Sequence, residues 1–147
     1  MRRAIEILLA VLLPAAPLWA GLGQPAASVE ADRQSMAGKL RSQVFSDYTV
    51  HEISAPDGQV VREYVSPSGV VFGVVWEGPT LPNVTQLLGS YSALLQQARR
   101  SPILRHGPLY IQSGPLVVAS GGHARAFRGR AYVTTLIPAG LTEAVLR

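Results

Sequence analysis

The sequence predicts an α+β fold, an antiparallel β-sheet with one amphipathic helix packed on a face, and three features point to it. Two turn signals, Ala55-Pro56-Asp57-Gly58 and Ser66-Pro67-Ser68-Gly69, separate three runs rich in β-formers. Apolar residues then recur at helical spacing: Val84, Leu87, Leu88, Tyr91, Leu94, Leu95 and Ala98. Strand-like patterning returns after residue 108 and runs almost to the end of the chain.

The first three strands are expected at Tyr48–Ser54, Val60–Val65 and Val70–Glu77. In the third, strict alternation puts Val70, Phe72, Val74 and Trp76 on one face and Val71, Gly73 and Val75 on the other. Apolar residues on both faces predict a central or doubly covered strand. Tight turns on either side of the second strand make the unit an antiparallel meander. Gly78-Pro79-Thr80-Leu81-Pro82 ends it. Asn83 is a good N-cap, and Gln86 stands three residues on, as in a capping box. The helix is expected to run from 83 to 100, with Arg99 and Arg100 at its dipole-favoured basic end and Ser101-Pro102 as its stop. Leu109–Gln112 and Leu116–Ser120 read as strands, with Gly121-Gly122 as a turn. Arg125–Phe127 and Arg130–Leu136 follow, with Arg128-Gly129 as a bulge or turn between them. The expected sheet has five or six strands.

The beginning of the chain has another logic. Arg2 and Arg3, the apolar run Ile7–Leu13 and the small residues Ala20, Gly21, Gly23, Ala26 and Ala27 follow the pattern of a cleavable secretory signal peptide. The apolar stretch Ile7–Leu22 is shorter than the ~20 residues a membrane span needs, and Pro14 and Pro17 interrupt it. The expected organisation is a signal peptide over 1–23, a mobile or partly helical leader over 24–44 and a single α+β domain over 45–147. The cut is expected within 20–27, and Ala20 and Gly23 both suit it. The mature protein would then be periplasmic or extracellular, with no stable membrane span.

The chain of 147 residues has no cysteine, which excludes disulfides, thiolate metal sites, a cysteine nucleophile and a cysteine-borne lipid anchor. Formal charge is +4, almost all of it from arginine, since Lys39 is the only lysine. That excess favours weak attraction to polyanions. No nucleic-acid recognition motif accompanies it, so nucleic acid is not an expected partner.

Chemistry-bearing residues are few. His51, His106 and His123 stand in no metal-ligand spacing, so no metal is expected, and no cofactor fingerprint occurs. His51 is expected at a strand surface or edge and His106 in a solvated loop. Ser120 and His123 flank a glycine pair, and a Ser–His pair can act as nucleophile and base. No G-x-S-x-G elbow supports that reading, so a glycine turn with a polar cap is the plainer one. Arg125, Arg128 and Arg130, with Tyr132, form a basic cluster that could meet an acidic ligand. A strand would put Arg128, Arg130 and Tyr132 on one face and Arg125 opposite. The plainer reading is a solvated face with cross-strand ion pairs to Glu52 or Glu63. Trp76 and Tyr64 are expected in the core rather than in a sugar or peptide groove.

Three strings carry a resemblance. The first is Arg62-Glu63-Tyr64-Val65-Ser66-Pro67 with Gly69, Val71-Phe72 and Trp76. The second is Gly78-Pro79-Thr80-Leu81-Pro82 leading into Leu87-Leu88-Gly89-Ser90-Tyr91. The third is Ser120-Gly121-Gly122-His123, Gly129-Arg130-Ala131-Tyr132 and Pro138-Ala139-Gly140. Together, from about residue 28 onward, they resemble the exported proteobacterial family known as domain of unknown function 2844 (DUF2844). Asn83 and Ala124 stand where that pattern often has aspartate and methionine. The resemblance implies export and a single domain, and it brings no catalytic or binding residue with it.

The functional expectation is therefore an exported, non-enzymatic envelope binding or accessory module without a cofactor. Its partner would be an acidic envelope polymer or another envelope protein. The alternative is a small periplasmic hydrolase using Ser120 and His123.

Overall fold

In a computed structural model the described residues are 21–100 and 108–147. The expected signal segment up to residue 20, the Ser101-Pro102 helix stop and His106 lie outside them.

The meander forms as its turns dictate. Strands β2 (Thr49–Ser54), β3 (Val60–Val65) and β4 (Val71–Gly78) pair antiparallel in sequence order. In the first turn Asp57 Oδ1 accepts from the Gln59 amide at 3.0 Å, and Asp57 Oδ2 accepts from Thr80 Oγ1 at 3.0 Å. In the second, the Gly69 amide donates to the Ser66 carbonyl at 2.8 Å. A strand that sequence reading missed, β1 (Lys39–Val44), precedes these and pairs antiparallel with β2. Every residue of β1 is exposed, so it lacks the one-sided apolar alternation that marks a half-buried strand.

After the helical segment come β5 (Leu109–Ser113), β6 (Leu116–His123) and β7 (Ala126–Val133), a second antiparallel meander. The β6–β7 turn is at Ala124-Arg125, with Arg125 at φ 68°, and not at Gly121-Gly122. Residues 128 and 129 are ordinary members of β7, and 134–136 form a 3-10 turn instead of more strand. Strands β4 and β7 pair to join the halves. The result is one open seven-stranded antiparallel sheet, ordered β1-β2-β3-β4-β7-β6-β5.

Helices cover one face. The capped segment begins at Val84, where Asn83 Oδ1 accepts from the Gln86 amide at 3.2 Å. It is interrupted where a single helix was expected: α2 is Val84–Leu88, Gly89–Tyr91 is a 3-10 turn and α3 is Ser92–Arg99. Gly89 adopts φ 53°, which breaks the α-helical run while keeping Leu87, Leu88 and Leu95 buried on the sheet. A further helix, α1 (Ser28–Ser35), packs on the same face, where Val29 joins the core.

The stretch 24–44, expected as a mobile or partly helical leader, is helical in part, over α1. Its first half is docked: the Gly23 amide donates to the Val71 carbonyl, the Val71 amide to Gln24 and the Ala26 amide to Gly69, at 2.8–3.0 Å. Its second half is β1.

The opposite face carries a second cluster of Tyr64, Phe72, Val117, Tyr132 and Leu146. Phe72 reaches it because the β3–β4 register shifts at Tyr64/Val65. The extra residue of that bulge turns Phe72 away from Val74 and Trp76, against simple alternation, and into edge contact with Tyr64 and Tyr48. The last residues lie over this half of the face. Leu146 packs on Gly73, and Tyr64 Oη donates to the Arg147 main-chain oxygen at 2.6 Å.

Candidate functional site

The other half of that face is open, and register decides what it presents. One row across the strands reads Arg41, Glu52, Arg62, Val75, Arg130, Ala119, Tyr110. The next includes Glu77, Arg128 and Gly121. Together they floor a cleft of about 650 Å³ with Val75, Ala119 and Gly121 between Arg62, Arg128, Arg130 and Arg147. A smaller hollow of about 220 Å³, bordered by Arg41, Phe45 and Tyr48, adjoins it through Arg62 and Arg147.

The ion pairs are not those expected. Arg62 bridges Glu52 at 2.8 Å and Glu77 at 2.9 Å. Glu63 is on the helix side of the sheet, in register with Val74, and among the described residues makes no ion pair with an arginine. Among the described residues Arg128 and Arg130 make no ion pair.

Of the expected ligand residues, the structure brings Arg128 and Arg130 together on one face, as alternation requires. Arg125 is at the β6–β7 turn, away from them. Tyr132 shares their face, but it is only 8% exposed and belongs to the cluster under Leu146. Tyr64 and Trp76 are likewise buried. Sequence reading missed Tyr110, Arg41, Arg62 and Arg147. For Tyr110, 51% exposed, the signal was present: in Leu109–Gln112 it is the large residue out of phase with Leu109 and Ile111.

Ser120 and His123 do not form a pair. Ser120 lies in the row of Trp76 and Gly129 on the helix side, and its Oγ donates to the Arg128 carbonyl at 3.5 Å. His123 ends β6, exposed, with Nδ1 beside the Ala124 carbonyl at 3.2 Å. A Ser–His hydrogen bond does occur elsewhere, between Ser42 Oγ and His51 Nδ1 at 2.7 Å. No carboxylate bonds that imidazole among the described residues, so the orienting group of a triad is missing. Burial lowers the pKa of His51.

The family model for "Protein of unknown function (DUF2844)" matches residues 19–146. The chain belongs to this family. No curated protein and no solved structure matches it.

One more feature of this DUF2844 domain is chemically unusual. Asp32 of α1 and Glu63 of β3 are both fully buried. Gln86 Nε2 donates to Asp32 Oδ1, and Gln86 Oε1 accepts from Ser35 Oγ at 3.1 Å. The other Asp32 oxygen and both Glu63 oxygens are out of reach of any further protein donor. The two buried carboxyls are neighbours, and both are pushed toward the protonated form, chiefly by burial. Burial first, and then the charge of Asp32, raise the Glu63 pKa well above the ordinary carboxyl value of 4.5. The folded chain therefore holds a proton that the unfolded chain releases. The resulting stability is complete below pH 4.5 and is lost as pH rises through the folded pKa. Over that window unfolding free energy should fall by up to about 1.4 kcal/mol per pH unit. Glu63→Gln keeps a donor for Asp32 and removes the titration. Urea unfolding from pH 4 to 9 should give a flatter profile for the variant than for wild type. Parallel profiles would show that the pair does not titrate on unfolding.

Among the described residues no group of three or more His, Asp or Glu is placed to hold a metal ion, and no helix is long and apolar enough to cross a membrane.

Proposed function

We propose that this chain is an exported, non-enzymatic binding module of the periplasm or cell exterior whose open sheet face takes an acidic polysaccharide. The observation that carries the reading is the pair Arg128 and Arg130, two guanidiniums without carboxylate partners among the described residues, at an open cleft. Guanidinium groups match carboxylate geometry with two parallel hydrogen bonds. The apolar floor of Val75 and Ala119, with exposed Tyr110 at the rim, suits the faces of sugar rings. The run of arginines across both hollows, Arg41, Arg147, Arg130 and Arg128, favours a polymer over a small molecule. A hydrolase built on Ser120 and His123 has no such support, because the two side chains are occupied separately.

The test is retention on immobilised polygalacturonate, with neutral dextran as control. Wild type should bind, and binding should weaken from 50 to 500 mM salt, since exposed charges are screened over ~10 Å at 0.1 M. Arg128→Gln with Arg130→Gln should lower affinity by about tenfold or more, each lost charge-assisted bond being worth ~1.5–3 kcal/mol at most. Its thermal midpoint should stay within a few degrees of wild type, as no structural ion pair is lost. His123→Ala should bind like wild type. Salt-independent retention, or wild-type binding by the double variant, would overturn the reading.

A further inference from the structure

We infer that the export leader is cut between Ala20 and Gly21, so that Gly21 is the first residue of the mature protein and its N-terminal segment is part of the core. The inference rests on the export reading above and narrows it to one bond. In the reaction, catalysed by a membrane signal peptidase, water adds across the Ala20–Gly21 peptide bond. The bond breaks to leave a carboxylate on Ala20 and an ammonium on Gly21. Of the two small residues in the A-x-A-like pattern such peptidases favour, Ala20 supplies the one immediately before the cut, while Leu18 stands at the earlier position.

Small residues alone leave several cuts open, after Ala20, Gly21, Gly23, Ala26 or Ala27. The fold separates them. Leu22 is 0% exposed and belongs to the main core cluster. Its amide donates to the Leu87 carbonyl at 2.9 Å. That carbonyl lies at the end of α2, where the break at Gly89 leaves helix carbonyls in need of donors. The Gly23 amide donates to Val71, and Tyr91 packs against Gly23. A cut after Gly23 or later would remove Leu22 and leave a vacancy under the helices. A cut after Gly21 would turn the Leu22 amide, fully buried and donating to Leu87, into a charged amine, and would discard the glycine that the helix end requires.

Gly21 itself is fitted to its place. It adopts φ 108°, and a Cβ there would fall 2.3 Å from the Leu87 carbonyl oxygen and 2.6 Å from that of Gln86. Only glycine can occupy this position beside the helix end. A residue so constrained by the folded domain belongs to the mature protein and not to a segment that is discarded.

The experiment is N-terminal sequencing and intact-mass measurement of the full chain expressed in a bacterial host with a working export pathway. The expected product begins at Gly21. A folded, exported product beginning at Leu22, Gln24 or later would overturn the inference and leave the export reading intact. A product that retains Met1 would overturn both. A second measurement does not depend on export: chains released from a fusion tag to begin at Gly21 or at Gln24 are compared by thermal unfolding. The Gln24 chain should melt lower by on the order of 10 °C, as expected for deleting a fully buried leucine and its hydrogen bond. Equal midpoints would show that residues 21–23 are dispensable and would overturn the inference.

Discussion

Leu88→Asp should destabilise the domain by about 3 kcal/mol or more, whereas Gln96→Asp should change stability by no more than about 0.5 kcal/mol. Leu88 is 0% exposed and sits in the main cluster with Leu22, Val74 and Trp76. An aspartate there is unpaired and out of reach of water, and it either carries the desolvation cost of its charge or takes up a proton. Gln96 is on the exposed side of α3, where a charge remains solvated. The break at Gly89 sharpens the comparison, because the two positions lie on different helices. Urea midpoints measured side by side are the check, and equal midpoints would show that α2 does not dock as described.

The second large effect has a sign that local preference would reverse. Valine is a better strand former than glycine, so propensity alone favours Gly129→Val in the middle of β7. It should instead cost about 3 kcal/mol. A Cβ on Gly129 would lie 2.3 Å from Trp76 Cζ2, 2.5 Å from Cε2 and 2.8 Å from the Ala119 carbonyl oxygen. The Trp76 ring is 1% exposed and cannot swing aside without opening the core. Gly121→Val is the matched control on the neighbouring strand. There the nearest atoms to a Cβ among the described residues belong to Pro108, at 3.5 Å, and the change should be neutral or stabilising by up to about 1 kcal/mol. In a protein that begins at Gly21, Trp76 is the only tryptophan, so its fluorescence reports both variants directly. Similar midpoints for the two would show that Trp76 does not rest on Gly129.

The sequence made some of this legible for physical reasons. Strand β3 was placed to the residue because Asp57-Gly58 and Ser66-Pro67-Ser68-Gly69 are strong local turns with β-branched residues between them. The apolar stripe of Val84–Ala98 announced a helical segment, but periodicity is blind to one glycine in a left-handed conformation, so the break at Gly89 stayed hidden. Strand β1 was missed because pairing with β2, and not burial, holds it. The docking of Leu22 depends on partners far along the chain, Val71 and Leu87, which no local pattern encodes. At the candidate site, alternation was enough to put Arg128 and Arg130 on one face. It could not show that Leu146 and its neighbours cover Tyr132, or that Arg62 takes both Glu52 and Glu77.

The pairing of β4 with β7 has a consequence for the order of assembly. Every other pairing in the sheet joins strands that are neighbours in sequence, each closed by a short turn, and such hairpins form in roughly 1–10 μs. The β4–β7 seam, from Gly73 against Tyr132 to Gly78 against Phe127, closes only after the whole helical segment between the two meanders has been gathered in. Loop-closure entropy makes this the slow step of the sheet. Until it is complete, each half-sheet ends in a strand whose inner edge is unpaired, and β4 bears apolar residues on both faces. The chain is most open to pairing with the wrong copy during that interval. That hazard ends when Trp76 settles onto Gly129, for those two residues face each other across the seam.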